Sequence, residues 1–248
     1  MDPTKLRALL AHVAAGELDI DEAVKGLRDL PFTDLGYAMV DHHRALRQGV
    51  PEVIFGEGKT SAQIIGIATS IVTHASVCLI TRISEDKAAA VLAAFPHARH
   101  VPIARTITIA NGEIEKRGSG PVAVIAAGTS DLPVAEEACE TLAALGREVI
   151  RMYDVGVSGI HRILSRRDEI ARAVAVIVCA GMEGALPSVV GGLTDRPVIG
   201  VPTSVGYGTA LSGFTPLMAM LTSCASGVTV VNIDNGFGAA FAAARIDR

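Results

Sequence analysis

Cys224 and Glu183 are the two residues whose types best suit covalent and acid–base chemistry. Cys224 stands in the small-residue segment SCASG (223–227), a setting that can expose a thiolate. Glu183 is a single carboxylate in the otherwise apolar turn AGMEGALP (180–187), where loss of water would raise its pKa and suit it to general acid or base catalysis. Two plainer interpretations stay open, because buried cysteines usually act as small hydrophobes and a turn carboxylate can cap a helix.

Two earlier segments carry groups that bind anions. GTSD (128–131) closes an apolar run and opens a predicted helix, whose first amides and dipole favour a phosphate, although Ser130 or Asp131 can equally be an N-cap. In SGIHR (158–162), Arg162 can hold a phosphate through two hydrogen bonds and His161 can move a proton near neutral pH. Such a His-Arg pair is otherwise usually part of a solvated loop.

The N-terminal part holds two further polar segments, DHHR (41–44) and GEGKT (56–60). Histidine and carboxylate are common metal ligands. However, adjacent histidines on a helix point to different sides and no matching ligand cluster follows, so we expect hydrogen bonding and no metal. GEGKT ends like a phosphate-binding P-loop, but Val53 stands where the first glycine should be, so that interpretation fails. Lys59 can still meet a phosphate as a point charge.

Short apolar runs predict the sheet that positions these groups. VAVIVCA (174–180), RPVIGVP (196–202) and GVTVVNI (227–233) are rich in valine and isoleucine, which is typical of strands buried on both faces of a parallel sheet. Strands and helices alternate after residue 121 and predict an α/β fold, a doubly wound parallel sheet with right-handed crossovers. Ligands of such sheets bind at the carboxyl ends of the strands, where Glu183, Thr203 and Ser204 fall.

The rest of the chain predicts a smaller N-terminal part. Leucine and alanine spacing predicts a helical hairpin, with one helix starting at Asp2-Pro3, a break at Gly16 and a second helix over Asp21–Leu30. A short strand EVIF (52–55), a small α/β unit and a hairpin turn at Asn111-Gly112 follow. KRGSGP, which ends at residue 121, is the linker candidate. We therefore divide the chain into a helical arm with DHHR and GEGKT (1–60), a small α/β domain (61–117) and a larger domain (121–248).

The composition excludes several classes of function. Half of the 248 residues are hydrophobic, only 4% are aromatic, and the net charge is −4 without a basic run, which argues against disorder and against nucleic acid as the partner. The first twenty residues lack a signal-peptide pattern and no apolar stretch approaches the ~20 residues of a membrane span, so we expect a cytoplasmic protein. Four separate cysteines form no CxxC pair, and we expect Cys78, Cys139 and Cys179 to be buried.

These segments together carry a resemblance to known enzymes. GTSD, SGIHR, AGMEGALP and PVIGVP resemble the phosphate loop, the Ser-x-His-Arg segment, the Ala-Gly loop and the following strand of aminoimidazole ribonucleotide (AIR) carboxylase or mutase. The whole chain from about residue 35 onward, including DHHRALRQGVPEVIFGEGKT (41–60) and SCASGVTVVNIDNGFGAA (223–240), is more similar to the LarB family, the nickel-pincer cofactor biosynthesis carboxylase/hydrolase. The AIR enzymes' histidine in the Ala-Gly region has no counterpart here, and their methionine-proline segment is replaced by Ser223-Cys224-Ala225.

The resemblance implies a two-part reaction on nicotinic acid adenine dinucleotide. The pyridinium ring would be carboxylated at C5 with CO2 or bicarbonate as co-substrate, and the phosphoanhydride would be hydrolysed to give pyridinium-3,5-biscarboxylic acid mononucleotide and AMP. Cys224 would add to C4, and Glu183, with His161 as the alternative, would take the C5 proton. No tightly bound cofactor is implied, and a role for Mg2+ stays open.

The resemblance also implies a substrate-binding set and a homo-octamer. Ser130, Asp131 and Arg162 would hold the ribose phosphate. The full predicted binding set is Gly128, Thr129, Ser130, Asp131, Asp154, Ser158, Arg162, Gly181, Met182, Gly184, Thr203, Ser204, Asn235, Arg44 and Lys59. Two alternatives remain: an AIR carboxylase or mutase, which needs no cysteine, and a regulatory module that binds a nucleotide without turnover.

Overall fold

The computed structural model describes residues 3–27, 32–50 and 52–247. It divides the chain into two units, Met1–Ile114 and Glu115–Arg248. None of the helices in the described ranges is long and apolar enough to cross a membrane.

The N-terminal unit begins with the predicted pair of helices and continues as a small mixed sheet. Its elements are α1 (Pro3–Ala14), α2 (Ile20–Leu27), β1 (Phe32–Asp34), β2 (Met39–Asp41), α3 (Arg44–Gln48), β3 (Val53–Phe55), α4 (Ser61–His74), β4 (Val77–Thr81), α5 (Glu85–Ala94), β5 (Arg99–Val101) and β6 (Thr106–Ala110). The predicted helix start at Asp2 and the predicted helix end at Leu30 lie outside the described residues. Strands β1 and β2 form an antiparallel pair that the sequence pattern did not reveal.

The four-stranded sheet of this unit has the order β3-β4-β6-β5. Strand β3 runs parallel to β4, whereas β6 runs antiparallel to both β4 and β5. Since β3 and β4 share this sheet, the segments that we separated at residue 60 meet in one unit. Its core consists of buried aliphatic side chains from the sheet and from α4, such as Ile54, Ile64, Ile80 and Ile107.

The hairpin turn predicted at Asn111-Gly112 is wrong. Strands β4 and β5, the two antiparallel partners of β6, both precede β6 in the chain. No strand follows the predicted turn between residues 113 and 120. The chain instead reverses between β5 and β6. Asn111 stabilises the end of β6 through two hydrogen bonds. Its amide donates to Ser76 O at 2.8 Å, and its side chain donates to Val72 O at 2.9 Å.

The C-terminal unit is a doubly wound α/β domain, as predicted. Its elements are β7 (Val122–Ala126), α6 (Leu132–Ala144), β8 (Val149–Met152), α7 (Ile160–Leu164), α8 (Arg167–Ala171), β9 (Ala175–Ala180), α9 (Leu186–Gly191), β10 (Val198–Pro202), α10 (Phe214–Leu221), β11 (Val228–Val230) and α11 (Gly236–Ile246). All pairings are parallel, in the order β11-β10-β9-β7-β8. Two short helices, α7 and α8, follow β8, and α11 was not predicted.

Helices cover both faces of this sheet. Helices α6 and α11 pack together on one face, and side chains of α7 to α10, such as Ile163, Ile170, Val190 and Met220, form the core on the other. The chain leaves β7 for β8 on one side and then crosses to β9 on the other side. The carboxyl ends of β7 and β9 therefore flank the switch point at which ligands of such sheets bind.

A buried ion pair joins the two ends of this unit. Asp247 accepts hydrogen bonds from Ser119 N at 2.9 Å, from Ser119 Oγ at 2.7 Å and from Arg147 Nη1 at 3.0 Å. Arg147 also donates to Ala244 O at 2.8 Å. The two charged side chains are only 7% and 11% exposed. Burial raises the pKa of Asp247, but the hydrogen bonds from Ser119 and the charge of Arg147 outweigh it, so the pKa is lowered.

We expect Asp247→Ala to lower the free energy of unfolding by about 3 kcal/mol, because it leaves a buried guanidinium without its counter-charge. Urea denaturation followed by circular dichroism measures this change. In the wild type, the contribution of Asp247 is complete above its unfolded pKa of about 4 and is lost as the pH falls through the lower folded value.

The matched control for this change is Asp195→Ala. Asp195 pairs with Arg196 at 3.3 Å but is 87% exposed, so its loss should change the stability by less than about 0.5 kcal/mol. Equal losses of unfolding free energy in the two variants would contradict a stabilising role for the buried Arg147–Asp247 pair.

Candidate active site

A cleft of about 330 Å³ lies at the carboxyl ends of β7, β8, β9 and β10. This volume lies within the range of small-molecule sites. The residues that line the cleft are Ala127, Gly128, Ser130, Asp131, Gly156, Val157, Ser158, Ala180, Gly181, Met182, Glu183, Ala185, Leu186 and Val205. Seven predicted residues therefore meet there, namely Gly128, Ser130, Asp131, Ser158, Gly181, Met182 and Glu183. The remaining lining residues were not predicted from the sequence. They are small or apolar residues close to the strand ends, and only this position could have indicated that they line a site.

Asp131 lines the cleft and links the loop after β7 to Thr203, which follows β10, by a hydrogen bond. Its Oδ1 accepts a hydrogen bond from Thr203 Oγ1 at 2.6 Å, and its Oδ2 accepts one from Gly128 N at 2.9 Å. Asp131 is 4% exposed and Thr203 is completely buried. Burial raises the pKa of Asp131 and outweighs the hydrogen bonds from Thr203 and Gly128.

This geometry gives Asp131 and Thr203 a structural role. Both carboxylate oxygens of Asp131 accept from protein donors and position the loop after β7, while its contact with the ribose phosphate stays a prediction. Asp131 does not cap α6, because its side chain makes no cap hydrogen bond there. Ser130 is exposed at the cleft and remains available to donate to an anion, whereas Thr129 is exposed outside the lining.

The loop after β8 brings Ser158 to the cleft but not His161 or Arg162. Arg162 Nη1 donates to Asp154 Oδ2 at 2.7 Å, so these two predicted binding residues pair with each other near the cleft. Asp154 adopts a positive φ of 55°. A Cβ at Gly156 would stand 2.8 Å from Ala127 O, which shows how closely the loops after β7 and β8 approach.

The loop after β9 presents Glu183 at the cleft with its side chain in contact with solvent. Met182 has a positive φ of 53°, and its amide donates to Val205 O at 2.8 Å. Gly184 packs so closely on Pro216 that a Cβ would stand 2.8 Å from its Cα. Glu183 itself is exposed. The single chain therefore does not supply the desolvation that we expected around this carboxylate.

Asn235 and Ser204, two predicted residues that follow β10, make hydrogen bonds within the fold. Asn235 caps α11 by accepting from Gly238 N at 2.8 Å. Ser204 donates its amide to Asp234 Oδ1 at 2.8 Å. Neither Ser204 nor Asn235 lines the cleft. The signal for the cap was the small-residue segment NGFG that follows the last strand.

The structure does not bring Cys224 into the cleft of its own chain. Cys224 is exposed in the segment between α10 and β11. Gly227, three residues later, accepts a hydrogen bond from Val198 N at the amino end of β10, whereas the cleft lies at the carboxyl ends. Burial of Cys78, Cys139 and Cys179 is confirmed, and it raises the pKa of all three thiols. Cys224 is therefore the exposed cysteine among the four.

The predicted residues Arg44 and Lys59 lie in the N-terminal unit, close to Glu52. Burial raises the pKa of Glu52, and a hydrogen bond from Asp41 N together with the charges of Arg44 and Lys59 opposes this rise. Lys59 Nζ donates to Phe55 O at 3.1 Å. Within residues 3–27, 32–50 and 52–247, no cluster of three or more His, Cys, Asp or Glu side chains could hold a metal ion.

The DHHR segment makes hydrogen bonds and an ion pair. His42 is 5% exposed, its Nε2 lies 2.9 Å from Thr33 Oγ1, and its ring stacks on His74 with 4.0 Å between the centroids. Asp41 pairs with Arg47 at 2.5 Å. The ring contact with His74 joins the turn after β2 to α4, and the hydrogen bonds of the segment agree with the role predicted for it.

Comparison with known proteins identifies two matching families. Residues 32–111 match the family described as LarB/PurE-like N-terminal domain, and residues 121–247 match the family described as AIR carboxylase. An uncharacterized protein of Methanocaldococcus jannaschii is 40% identical over 242 residues, which cover 94% of this chain and 93% of that protein.

Two mutases are similar to about half of the chain. N5-carboxyaminoimidazole ribonucleotide mutase of Pyrococcus horikoshii is 37% identical over 134 residues, which cover 50% of this chain and 71% of the mutase. The mutase of the same name from Methanocaldococcus jannaschii is 34% identical over 130 residues, which cover 50% of this chain and 77% of that protein.

Proposed function

Because this chain belongs to the LarB family, with a LarB/PurE-like N-terminal domain and an AIR carboxylase domain, we propose that it carboxylates and hydrolyses nicotinic acid adenine dinucleotide. The two domains indicate a function of the carboxylase or mutase type. Carboxylation at C5 and hydrolysis of the phosphoanhydride are the finer proposal. The products are pyridinium-3,5-biscarboxylic acid mononucleotide, a precursor of the nickel-pincer nucleotide cofactor, and AMP.

One observation carries this proposal: hydroxyl groups and a carboxylate meet in one cleft. Ser130 and Ser158 come from two different strand ends and offer donors for the nucleotide phosphate. Glu183 stands on the third strand end, beside the apolar side chains of Met182 and Leu186, against which a pyridinium ring can lie. In this proposal, Ser130 and Ser158 bind the phosphate, an apolar surface contacts the pyridinium ring and Glu183 is the base.

The proposed chemistry runs through a thioether adduct. The Cys224 thiolate adds to C4 of the pyridinium, and the displaced electron pair moves to the ring nitrogen. C5 is then an enamine-like carbon, which attacks CO2 and forms the new C–C bond. Glu183 removes the C5 proton, the thiolate leaves C4, and the ring regains its aromaticity. In a separate step, water attacks the phosphoanhydride and releases AMP.

We propose that the thiol acts in the cleft of a neighbouring copy within a homo-octamer. Cys224 does not line its own cleft, so a second copy must deliver the thiol if it reacts there. Exposed apolar side chains in the segment of the chain between β10 and Cys224 support such an association. They are Tyr207, Leu211, Phe214, Met218 and Leu221.

Mixed oligomers test this arrangement. We expect Cys224→Ala and Glu183→Gln chains to be inactive alone, but co-assembled in equal amounts they should recover about a quarter of the wild-type rate, because random pairing restores that share of the sites. The measurement is the carboxylation rate after joint refolding or co-expression. No recovery in verified mixed oligomers would place both groups on one chain.

The proposed activity is tested by incubating the protein with nicotinic acid adenine dinucleotide and bicarbonate and weighing the products. A mass gain of one carboxylate together with released AMP supports it. The same assay with and without chelator decides whether Mg2+ assists hydrolysis.

The alternative function is that of an AIR carboxylase or mutase, which is favoured by the 37% identity to a mutase over half of the chain. Turnover of N5-carboxyaminoimidazole ribonucleotide with the dinucleotide left unchanged would establish it. Unchanged dinucleotide bound at stoichiometry, without turnover of either substrate, would indicate a regulatory module.

A further inference from the structure

The N-terminal unit carries a group of cationic side chains at one edge of its sheet. Strands β3 and β4 are parallel, so the loops that follow them, residues 56–60 and 82–84, emerge at the same edge. Strand β6 begins at this edge, because it pairs antiparallel with β4 and places Ile107 opposite Ile80. Four segments of the chain therefore meet there, the fourth being the first turn of α5.

Each of these segments contributes one cation. Lys87 Nζ donates to Gly56 O at 3.1 Å and to Glu57 O at 2.9 Å. Lys59 Nζ donates to Phe55 O at 3.1 Å, and Arg105 Nη2 donates to Arg82 O at 3.4 Å. These acceptors are main-chain carbonyls, which carry no net charge, so the hydrogen bonds hold Lys59, Lys87 and Arg105 at the edge without neutralising these three side chains.

Acidic side chains stand at the same edge as the cations. Glu57, Glu85 and Asp86 are exposed there. A hydrogen bond with Ser84 is the largest cause of the lowered pKa of Asp86. The amino ends of α4 and α5 add the positive ends of their dipoles at this edge.

An exposed aromatic ring lies beside the cations. Phe55 is 48% exposed, and the guanidinium carbon of Arg82 lies 6.0 Å from the centre of its ring. The loops beneath it are closely packed, since a Cβ at Gly56 would stand 3.1 Å from Thr81 O. The edge therefore offers cations and an open aromatic face on a tight scaffold, which together match a phosphate and a nucleobase.

We propose that this edge of the N-terminal unit binds a nucleoside monophosphate, with the phosphate held by Lys59, Lys87 and Arg105 and the base stacked on Phe55. The identification of the ligand as adenylate rests on the proposed function, in which AMP is a product. The binding itself does not depend on ring carboxylation.

Calorimetric titration of the full chain with AMP and with inorganic phosphate tests the site. We expect Arg105→Gln and Lys59→Gln each to weaken AMP binding about tenfold, because each removes a charge-assisted contact. Phe55→Leu should weaken AMP binding about tenfold and leave phosphate binding unchanged. The matched control is Arg99→Gln, which removes one charge from the exposed first residue of β5 in the same unit.

Unchanged AMP affinity in both charge variants, with thermal unfolding like that of the wild type, would overturn the inference. So would loss of AMP binding on Ser158→Ala alone, since that would place the ligand in the other unit. A wild-type protein that binds AMP through Arg105 but leaves the dinucleotide uncarboxylated would refute the proposed function and leave this site standing.

Discussion

Cys224→Ala is expected to reduce carboxylation of nicotinic acid adenine dinucleotide on the order of 10⁶-fold, as for an enzyme that loses its nucleophile. Without the thiolate, no group adds to C4, and C5 of the cationic ring remains too electron-poor to attack CO2. Cys224 is exposed and lies outside the cores, so the substitution should leave the fold intact. The rate of formation of the carboxylated product, followed by liquid chromatography and mass spectrometry, measures the loss.

Ser226→Ala is the matched control for this variant. It alters an exposed small residue of the same segment and should retain the wild-type rate. Full carboxylation by Cys224→Ala would exclude the covalent route and would favour the AIR-type reaction, which requires no cysteine.

Glu183→Gln is expected to slow carboxylation by roughly 10²- to 10⁴-fold, the usual contribution of a general base. The amide cannot take the C5 proton, so the ring cannot regain its aromaticity after CO2 has added. A covalent adduct should therefore accumulate on Cys224, and intact-protein mass spectrometry should detect a species heavier than the chain by the substrate and one CO2.

Glu115→Gln serves as the control, because its carboxylate is 69% exposed and pairs with Arg117 at 3.3 Å. Should Glu183→Gln react at the wild-type rate while His161→Gln does not, the base would be His161. The adduct would then be sought in the His161 variant.

The cleft could be located from the sequence because its walls are local features. Each wall follows a run of valine and isoleucine that forms a buried strand, and Ser130, Ser158 and Glu183 come shortly after such runs. The direction of parallel strands then places all these segments at one edge. The same rule places the segment before β11 at the other edge, which explains why Cys224 lies apart from Glu183.

Other features depend on partners that are distant in the chain. The carboxylate of Asp131 turns inward to Thr203, 72 residues away, and no local pattern reveals that hydrogen bond. Asn111-Gly112 has the composition of a hairpin turn, but Ser76 and Val72 take its hydrogen bonds instead. Helix α11 begins in the segment NGFG, whose glycines weaken a helix signal, and it forms because alanines pack it against α6.

The hydrogen bonds between Ser119 and Asp247 have a consequence for engineering. They place the first and last segments of the C-terminal unit side by side, so a short peptide can join them and new termini can be opened in another surface loop. Such a circular permutant would keep the strand order and the cleft while carrying its ends elsewhere. The order in which the strands are synthesised would thereby be separated from the order in which they lie in the sheet.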